Sequence, residues 1–291
     1  MKKIVSLLLS TFIFISFTAQ SQTEVDLKTA NKLAKVNAKA LVKAGITKVM
    51  FMEFYGDFVT DKTTSASSMS LRYGSSYKGT FHEGVEVSED YYEHLTNEIY
   101  ESMKKVFTDN GIEVLDKSVL LENPDYIELG LKEEKNRHEY TGGLMKQSKE
   151  METVRRSVSG MGMWSETLKI SAVSKIKKMV PKMAMENGCQ AAVITRFRIG
   201  MGKKGVPTLE YINSTIDYGL DSYSNGKGRG ESYFFKKGGV DLFTTNKTLS
   251  APKDLFNSKG GVEMENYNEA IMDMVNQMTA SYSVIIKSEK K

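Results

Sequence analysis

The strongest constraint on the fold is a unit that occurs three times, in which a helical pattern ends at a glycine and an apolar strand pattern follows. Gly45, Gly111 and Gly188 occupy these junctions. Glycine is favoured just past a helix end because it adopts a left-handed backbone without strain. Helices and strands that alternate in this way predict an α/β protein, since each helix covers one face of a sheet.

The later part of the chain departs from strict alternation, because several strand patterns follow one another without helices. Hydrophobic stripes predict helices at about 25–44, 88–110, 165–187 and 263–286. Apolar or alternating stretches predict strands at about 47–55, 112–115, 122–131, 190–199, 209–220, 231–237 and 239–245. Within the third helix, Pro181 is expected to cause a kink or a break. We therefore predict a mixed α+β fold, with one mixed sheet and amphipathic helices packed on it.

The first 22 residues have the layout of a secretory signal peptide. Lys2 and Lys3 precede an apolar run over residues 4–17, and small or polar residues close the segment at 18–22. We expect cleavage there, leaving a single domain over 23–291 that is periplasmic or secreted. The cleavage end has no cysteine for a lipid anchor, and no second apolar run is long enough to predict a transmembrane helix in the mature chain.

The bulk composition is that of an ordinary globular protein. The net charge of +4 includes the two signal-peptide lysines, so the mature chain has a value of +2, which disfavours nucleic acid as the partner. The chain has one cysteine, Cys189, so an internal disulfide is excluded. Because Cys189 lies in an apolar stretch, we predict that it is a core residue.

Two polar insertions, at about 56–87 and 121–165, are predicted to form the contact surfaces for partners. The first is rich in Ser, Thr and Gly, and both a flexible loop and a hairpin fit its pattern. The second is highly charged, and we interpret it as partly mobile or partner-facing. Large aromatic and cationic side chains stand out in these polar contexts. The predicted partner-binding residues are Tyr73, Tyr77, Phe81, Arg137, Tyr140, Arg155, Arg156 and Trp164.

Motifs for cofactors and catalysis are weak. Gly200, Gly202 and Gly205 match the spacing of a dinucleotide fingerprint, but Pro207 and a strand follow where that motif needs a helix. A hairpin loop explains these glycines better. Residues 226–230, GKGRG, lack the phosphate-loop spacing and are interpreted as a solvated turn with two cations.

The potential metal-binding and nucleophilic residues also favour structural roles. None of the three histidines, at positions 82, 94 and 138, has another His or Cys at metal-ligand spacing, and no GxSxG motif is present. Core packing explains the methionines better than copper binding does. The methionines concerned are Met50, Met52, Met161, Met163, Met179, Met183, Met185, Met274 and Met278. We predict no catalytic residue, no cofactor and no metal.

The helix-to-strand junctions resemble those of the CsgG-like and TolB-N-terminal-like envelope domains. In that group one helix leads through an F…GF.VVD signature into a strand, and a later helix ends in GAD.VL.G. The first signature is matched by Phe107, Gly111, Ile112, Val114 and Asp116, and the second by Gly188, Ala191, Val193 and Gly200. The likeness covers about half of the mature chain. Many relatives are lipoproteins, whereas this chain lacks the lipid attachment site.

The resemblance implies a non-enzymatic envelope protein, because members act as secretion pores, as activators of cell-wall synthases or as parts of larger assemblies. We therefore expect a protein that works by binding other envelope proteins or itself. One alternative is a subunit of an oligomeric outer-membrane secretion pore, built from two amphipathic hairpins per subunit. A second alternative is a periplasmic hydrolase, since a catalytic triad can assemble from distant positions.

Overall fold

The computed structural model describes residues 25–70, 75–84, 89–141, 148–164, 170–202, 205–224, 231–252 and 264–290. Its helices are α1 Leu27–Leu33, α2 Ala38–Val42, α3 Glu89–Thr108, α4 Lys117–Leu121, α5 Pro124–Ile127, α6 Ile170–Glu186 and α7 Met264–Glu289. Its strands are β1 Ala34–Val36, β2 Lys48–Ser70, β3 Ser75–Gly84, β4 Glu113–Val114, β5 Glu134–Thr141, β6 Ser148–Ser157, β7 Ala191–Met201, β8 Pro207–Ser224, β9 Glu231–Thr245 and β10 Leu249–Ser250. The predicted signal peptide, 1–22, lies outside the described residues.

The ten strands form one mixed sheet, so the predicted α/β class is confirmed. Seven strands lie in the order β1-β9-β8-β7-β2-β6-β5, while β3 and β4 pair with β2, and β10 pairs with β8. The pairs β2–β7 and β2–β4 are parallel, and the other pairs are antiparallel. The parallel pairs come from the alternating part of the chain, whereas the antiparallel pairs include the hairpins β2–β3, β5–β6, β7–β8 and β8–β9.

Aromatic rings fill the core between strand β2 and helix α3. The ring centroid of Phe51 lies 5.3 Å from that of Tyr100 and 5.6 Å from that of Phe107, both in edge-on geometry. Phe54 approaches Tyr100 at 5.3 Å. Helix α7 packs on α1 and α3, whereas α6 packs on β7 and β9. Large buried aromatic surfaces of this kind dominate the energetics of a core.

All three junction glycines have the predicted left-handed backbone. The φ angles are 64° at Gly45, 71° at Gly111 and 67° at Gly188, and a strand follows within a few residues each time. Cys189 is buried, so its predicted core position is confirmed. Eight of the nine methionines considered above are buried in the core, and Met185 is the exception, with 52% of its surface exposed.

The prediction of one helix over 25–44 is wrong, because the chain extends at Ala34–Val36 to form β1. This segment pairs with Phe243–Thr245 of β9, and the backbone N–H of Asn37 donates to the carbonyl of Leu242. Pairing with a distant strand overrides the local helix propensity there. Of the kink or break predicted at Pro181, the break is absent, since α6 continues through that residue.

The prediction of a strand over 122–131 is wrong as well. The Asn123 side chain accepts hydrogen bonds from the backbone N–H groups of Asp125 and Tyr126, and Pro124 occupies the first turn of α5. An Asn-Pro pair at a helix start supplies a cap and a fixed φ angle, so the local signal favours a helix. The two strands expected at 231–237 and 239–245 are one strand, β9.

The glycine-rich segment that matches the dinucleotide fingerprint connects two antiparallel strands. Gly200 belongs to β7, and β8 begins at Pro207 and pairs back on β7. The hairpin interpretation is therefore confirmed. Among the described residues, no helix has the length and apolar character needed to span a membrane.

Candidate partner-binding site

Both insertions contribute to one feature, which we call the strand extension: residues 61–70, 75–84, 138–141 and 148–152. Here β2 pairs with β3 on one side and with β6 on the other, and β5 pairs with β6. The described part of the first insertion thus forms a hairpin, one of the two structures that fit its pattern. The four strands lie side by side in the order β3-β2-β6-β5.

The strand extension begins where the helices stop covering β2. Phe58 packs on Tyr92 of α3, at 4.9 Å between ring centroids. One residue later the pairing between β2 and β6 shifts between Val59 and Asp61, which makes Thr60 a bulge. A bulge bends and twists a strand, so it separates the covered sheet from the extension. The Lys62 ammonium donates to the Met201 carbonyl at 2.9 Å and ties the base of the extension to β7.

The strand extension has two open edges. Within the described part of the chain, β3 pairs with β2 alone and β5 pairs with β6 alone, so the outer backbone groups of both strands have no strand partner. An open edge is a template for pairing with another chain, and charged side chains commonly limit such pairing. Strand β5 carries charges at Glu134, Lys135, Arg137 and Glu139, together with Tyr140, which is 64% exposed.

A buried ion pair supports the base of the strand extension. The Arg155 guanidinium on β6 donates to both carboxylate oxygens of Asp57 on β2, at 2.5 and 2.7 Å. The two side chains are 8% and 3% exposed. The guanidinium also lies 4.6 Å from the centroid of the Tyr55 ring. Two planar hydrogen bonds and a ring contact fix this arginine, which therefore holds β6 against β2.

A second arginine extends the charged contacts across the sheet. The Arg198 guanidinium on β7 donates to both carboxylate oxygens of Glu139 on β5, at 3.1 and 2.9 Å, and lies 3.1 Å from the Glu210 carboxylate. These hydrogen bonds hold the pKa of Glu139 below its usual value. Because β2 and β6 lie between β7 and β5, this contact spans two strands.

The predicted partner-binding residues differ widely in their placement. Tyr140 is exposed, Arg137 and Trp164 are half-buried, and Arg156 is a half-buried partner of Glu93 and Glu134. Tyr77 and Phe81 lie on β3, where their backbones pair with Ser68 and Thr64. Tyr73 lies outside the described residues.

Arg155 corrects the prediction that these cations are surface groups. Successive residues of a strand point to opposite faces, so Arg155 and Arg156 are separated although they are adjacent in the chain. Arg156 contacts α3, whereas Arg155 is 6% exposed and is occupied by Asp57. The sequence analysis missed Asp57, Glu139 and Arg198. Asp57 falls just after the predicted strand, in the polar insertion, so the sequence pattern did not mark it as buried.

The described residues include one small cavity, between β2, β7, α3 and α7. It has room for about one water molecule. Burial raises the pKa of Tyr92, one of the lining residues, to about 12. The lining residues are Phe58, Val59, Tyr91, Tyr92, Ile199, Tyr267 and Ile271. The part of the chain that is described contains no group of three or more His, Cys, Asp or Glu side chains placed to hold a metal.

Comparisons of the chain with models of protein families, with curated proteins and with solved structures found no match.

Proposed function

We propose that this is an exported bacterial cell-envelope protein that acts by binding and assembly, and not by catalysis. The observation that carries the proposal is the strand extension, whose two outer edges lack strand partners within the described residues. Export rests on the signal-peptide pattern, and the envelope role rests on the resemblance to the CsgG-like and TolB-N-terminal-like domains.

Strand addition is the binding mode that this geometry favours. An incoming strand hydrogen-bonds to the outer N–H and C=O groups of β3 or β5, and side chains along the edge select it. Four of the eight β5 residues are charged, namely Glu134, Lys135, Arg137 and Glu139, and the others are Asn136, His138, Tyr140 and Thr141. The buried Asp57–Arg155 pair joins β2 to β6, and the Arg198–Glu139 contact joins β7 to β5, so β2, β6 and β5 are held in place before the partner arrives. Preorganisation of this kind lowers the entropic cost of binding.

The proposed partners are other envelope proteins or further copies of this chain. The edges of β3 and β5 lie on opposite sides of the same four strands. Pairing of β3 in one copy with β5 in the next would be a head-to-tail contact, which closes into a ring when the rotation between copies permits.

The test is a variant in which residues 64–81 are replaced by Asn-Gly. Thr63 and His82 face each other across the hairpin, so a two-residue turn joins them and keeps the base of the extension. We expect the variant to fold and to lose partners that are cross-linked to the wild type in cells. The control is His94→Ala, at an exposed position of α3 outside the strand extension. A folded variant that recovers every wild-type partner would refute strand addition at β3, the edge that the variant lacks.

A secretion pore is the second candidate function. It is favoured by one specific observation, namely that β2–β3 and β5–β6 are two antiparallel hairpins that lie side by side. Pore subunits of the resembling group contribute two hairpins each. The two candidates differ in their dependence on detergent, because a pore leaves the membrane fraction only as a detergent-solubilised oligomer, whereas an accessory protein fractionates without detergent.

A further inference from the structure

Five exposed lysines lie along the edge of the sheet that the N-terminal elements form. Strand β1 is the last strand at this end of the sheet order, and in the chain it lies between helices α1 and α2. The five, all exposed, are Lys28 and Lys32 of α1, Lys35 of β1, Lys39 of α2 and Lys43, which directly follows α2. We call them the lysine surface. No part of the proposed function uses it.

The lysine surface is the outer side of elements whose inner side is apolar. Lys28 and Lys32 are four residues apart, as are Lys39 and Lys43, so each pair shares one side of its helix. Like charges at this spacing weaken a helix, so local stability does not account for the pattern. The buried residues of the same elements are Ala30, Leu33, Ala34, Ala38, Ala40 and Leu41.

The lysine surface has no compensating acids. Residues 25–47 contain the five lysines and one acid, a net charge of +4. That acid, Asp26, accepts the Thr29 N–H at 2.7 Å and caps α1. None of the five ammonium groups forms an ion pair or a hydrogen bond with a residue that the structure describes. Elsewhere, Lys48 and Lys175 lie 2.8 and 2.6 Å from carboxylates.

Two apolar side chains are exposed among these cations. Leu27 is 42% exposed and Val42 is 37% exposed, and they lie at the two ends of the segment that carries the lysines. On the neighbouring β9, the residues that pair with β1 are flanked by Asp241 and Lys247, whose charges cancel. The surface therefore combines a net positive charge with isolated apolar contacts.

We propose that the lysine surface docks on an anionic lipid bilayer. Lysine is a flexible point charge, without the fixed fork by which arginine binds one carboxylate. Protein interfaces are depleted in lysine and depend on aromatic and arginine anchors, and residues 25–47 contain neither. An anionic bilayer instead offers charge over a wide area, and it accommodates apolar side chains at its boundary. This inference does not depend on the function proposed for the strand extension.

Flotation of the mature chain with lipid vesicles tests the proposal. We expect binding to vesicles of equal parts phosphatidylglycerol and phosphatidylcholine, release at about 0.5 M salt, and little binding to phosphatidylcholine alone. Each lysine near an anionic surface contributes about fivefold in affinity. Lys28→Gln/Lys32→Gln should therefore weaken binding about 25-fold, and Lys39→Gln/Lys43→Gln should do the same. Glutamine has nearly the helix propensity of lysine, so both variants should fold.

The matched control is Lys177→Gln/Lys178→Gln, which removes the same charge from two exposed positions of α6 and should leave binding unchanged. The proposal is overturned if the wild type does not float with anionic vesicles or floats equally with neutral ones. It is also overturned if the control pair weakens binding as much as the other pairs do. A wild type that binds soluble dextran sulfate but not anionic vesicles would assign the surface to a polyanion and overturn the bilayer as its partner.

Discussion

Replacing Arg155 by methionine should be among the most destabilising single changes in the sheet. Methionine keeps much of the apolar stem, so the loss falls mainly on the two hydrogen bonds to Asp57 and on the contact with Tyr55. The Asp57 carboxylate would remain, at 2% residue exposure, with its bidentate partner removed. Breaking a buried pair in this way costs about 3–5 kcal/mol, because the remaining carboxylate loses the partner that donates its two hydrogen bonds.

The neighbouring substitution Arg156→Met is the matched control. Arg156 makes the same kind of contacts with Glu93 and Glu134, but those carboxylates are 36% and 40% exposed. Water screens such pairs, so Arg156→Met should lower the free energy of unfolding by about 1 kcal/mol or less. The double variant Asp57→Leu/Arg155→Met should lose less stability than Arg155→Met alone, because it leaves no buried carboxylate.

Urea unfolding followed by the fluorescence of Trp164, the single tryptophan, measures these differences. If the free energy of unfolding falls by about 3 kcal/mol per molar urea, the urea concentration at half-unfolding should be lower by about 1 M or more in Arg155→Met. The reasoning is refuted if Arg155→Met and Arg156→Met cost the same. It is also refuted if the double variant is less stable than the Arg155 single variant.

Three further predictions concern Gly56, Glu139 and Cys189. Gly56→Ala should lower the free energy of unfolding by about 1–3 kcal/mol or more, because a Cβ there would lie 2.1 Å from the Phe197 ring. Adding Phe197→Leu should recover part of that loss, measured by thermal unfolding. A Gly56→Ala variant as stable as the wild type would contradict the packing argument. Glu139 has a depressed folded-state pKa, so its contribution to stability is complete above the unfolded-state pKa and is lost as pH falls through the lower folded-state value. The free energy of unfolding of Glu139→Gln should therefore fall less than that of the wild type when the pH is lowered below about 4.5. Equal falls in the two proteins would contradict this prediction. Burial raises the pKa of Cys189 to about 11. Its reaction with a thiol reagent near pH 8 should therefore be slow until urea unfolds the chain. Rapid reaction of the native protein would show that the thiol is accessible.

The elements that local patterns determine could be predicted from the sequence. The junctions at Gly45, Gly111 and Gly188 depend on residues that are adjacent in the chain, and each is present. Strand β1 could not be predicted, because three residues that resemble helix become a strand only when β9 lies beside them. Local propensity is a weak prior where a distant partner supplies the hydrogen bonds.

The candidate site was harder to predict because its organising contacts are distant in sequence. Asp57 and Arg155 are 98 positions apart, and Arg198 and Glu139 are 59 positions apart. Composition distinguishes the two polar insertions from the rest of the chain, but it does not assign the strand register that turns Arg155 inward and Arg156 toward α3. A shift of one residue in a strand exchanges the two faces, so the exposure of Arg155 could not be read from its residue type.

The most direct test of the proposed assembly is the sedimentation of the mature protein in envelope extracts, compared with the variant in which Asn-Gly replaces residues 64–81. The account predicts that the wild type sediments faster than a single copy, and that the folded variant sediments as a single copy. Equal sedimentation of the two folded proteins would contradict an assembly role for the strand extension.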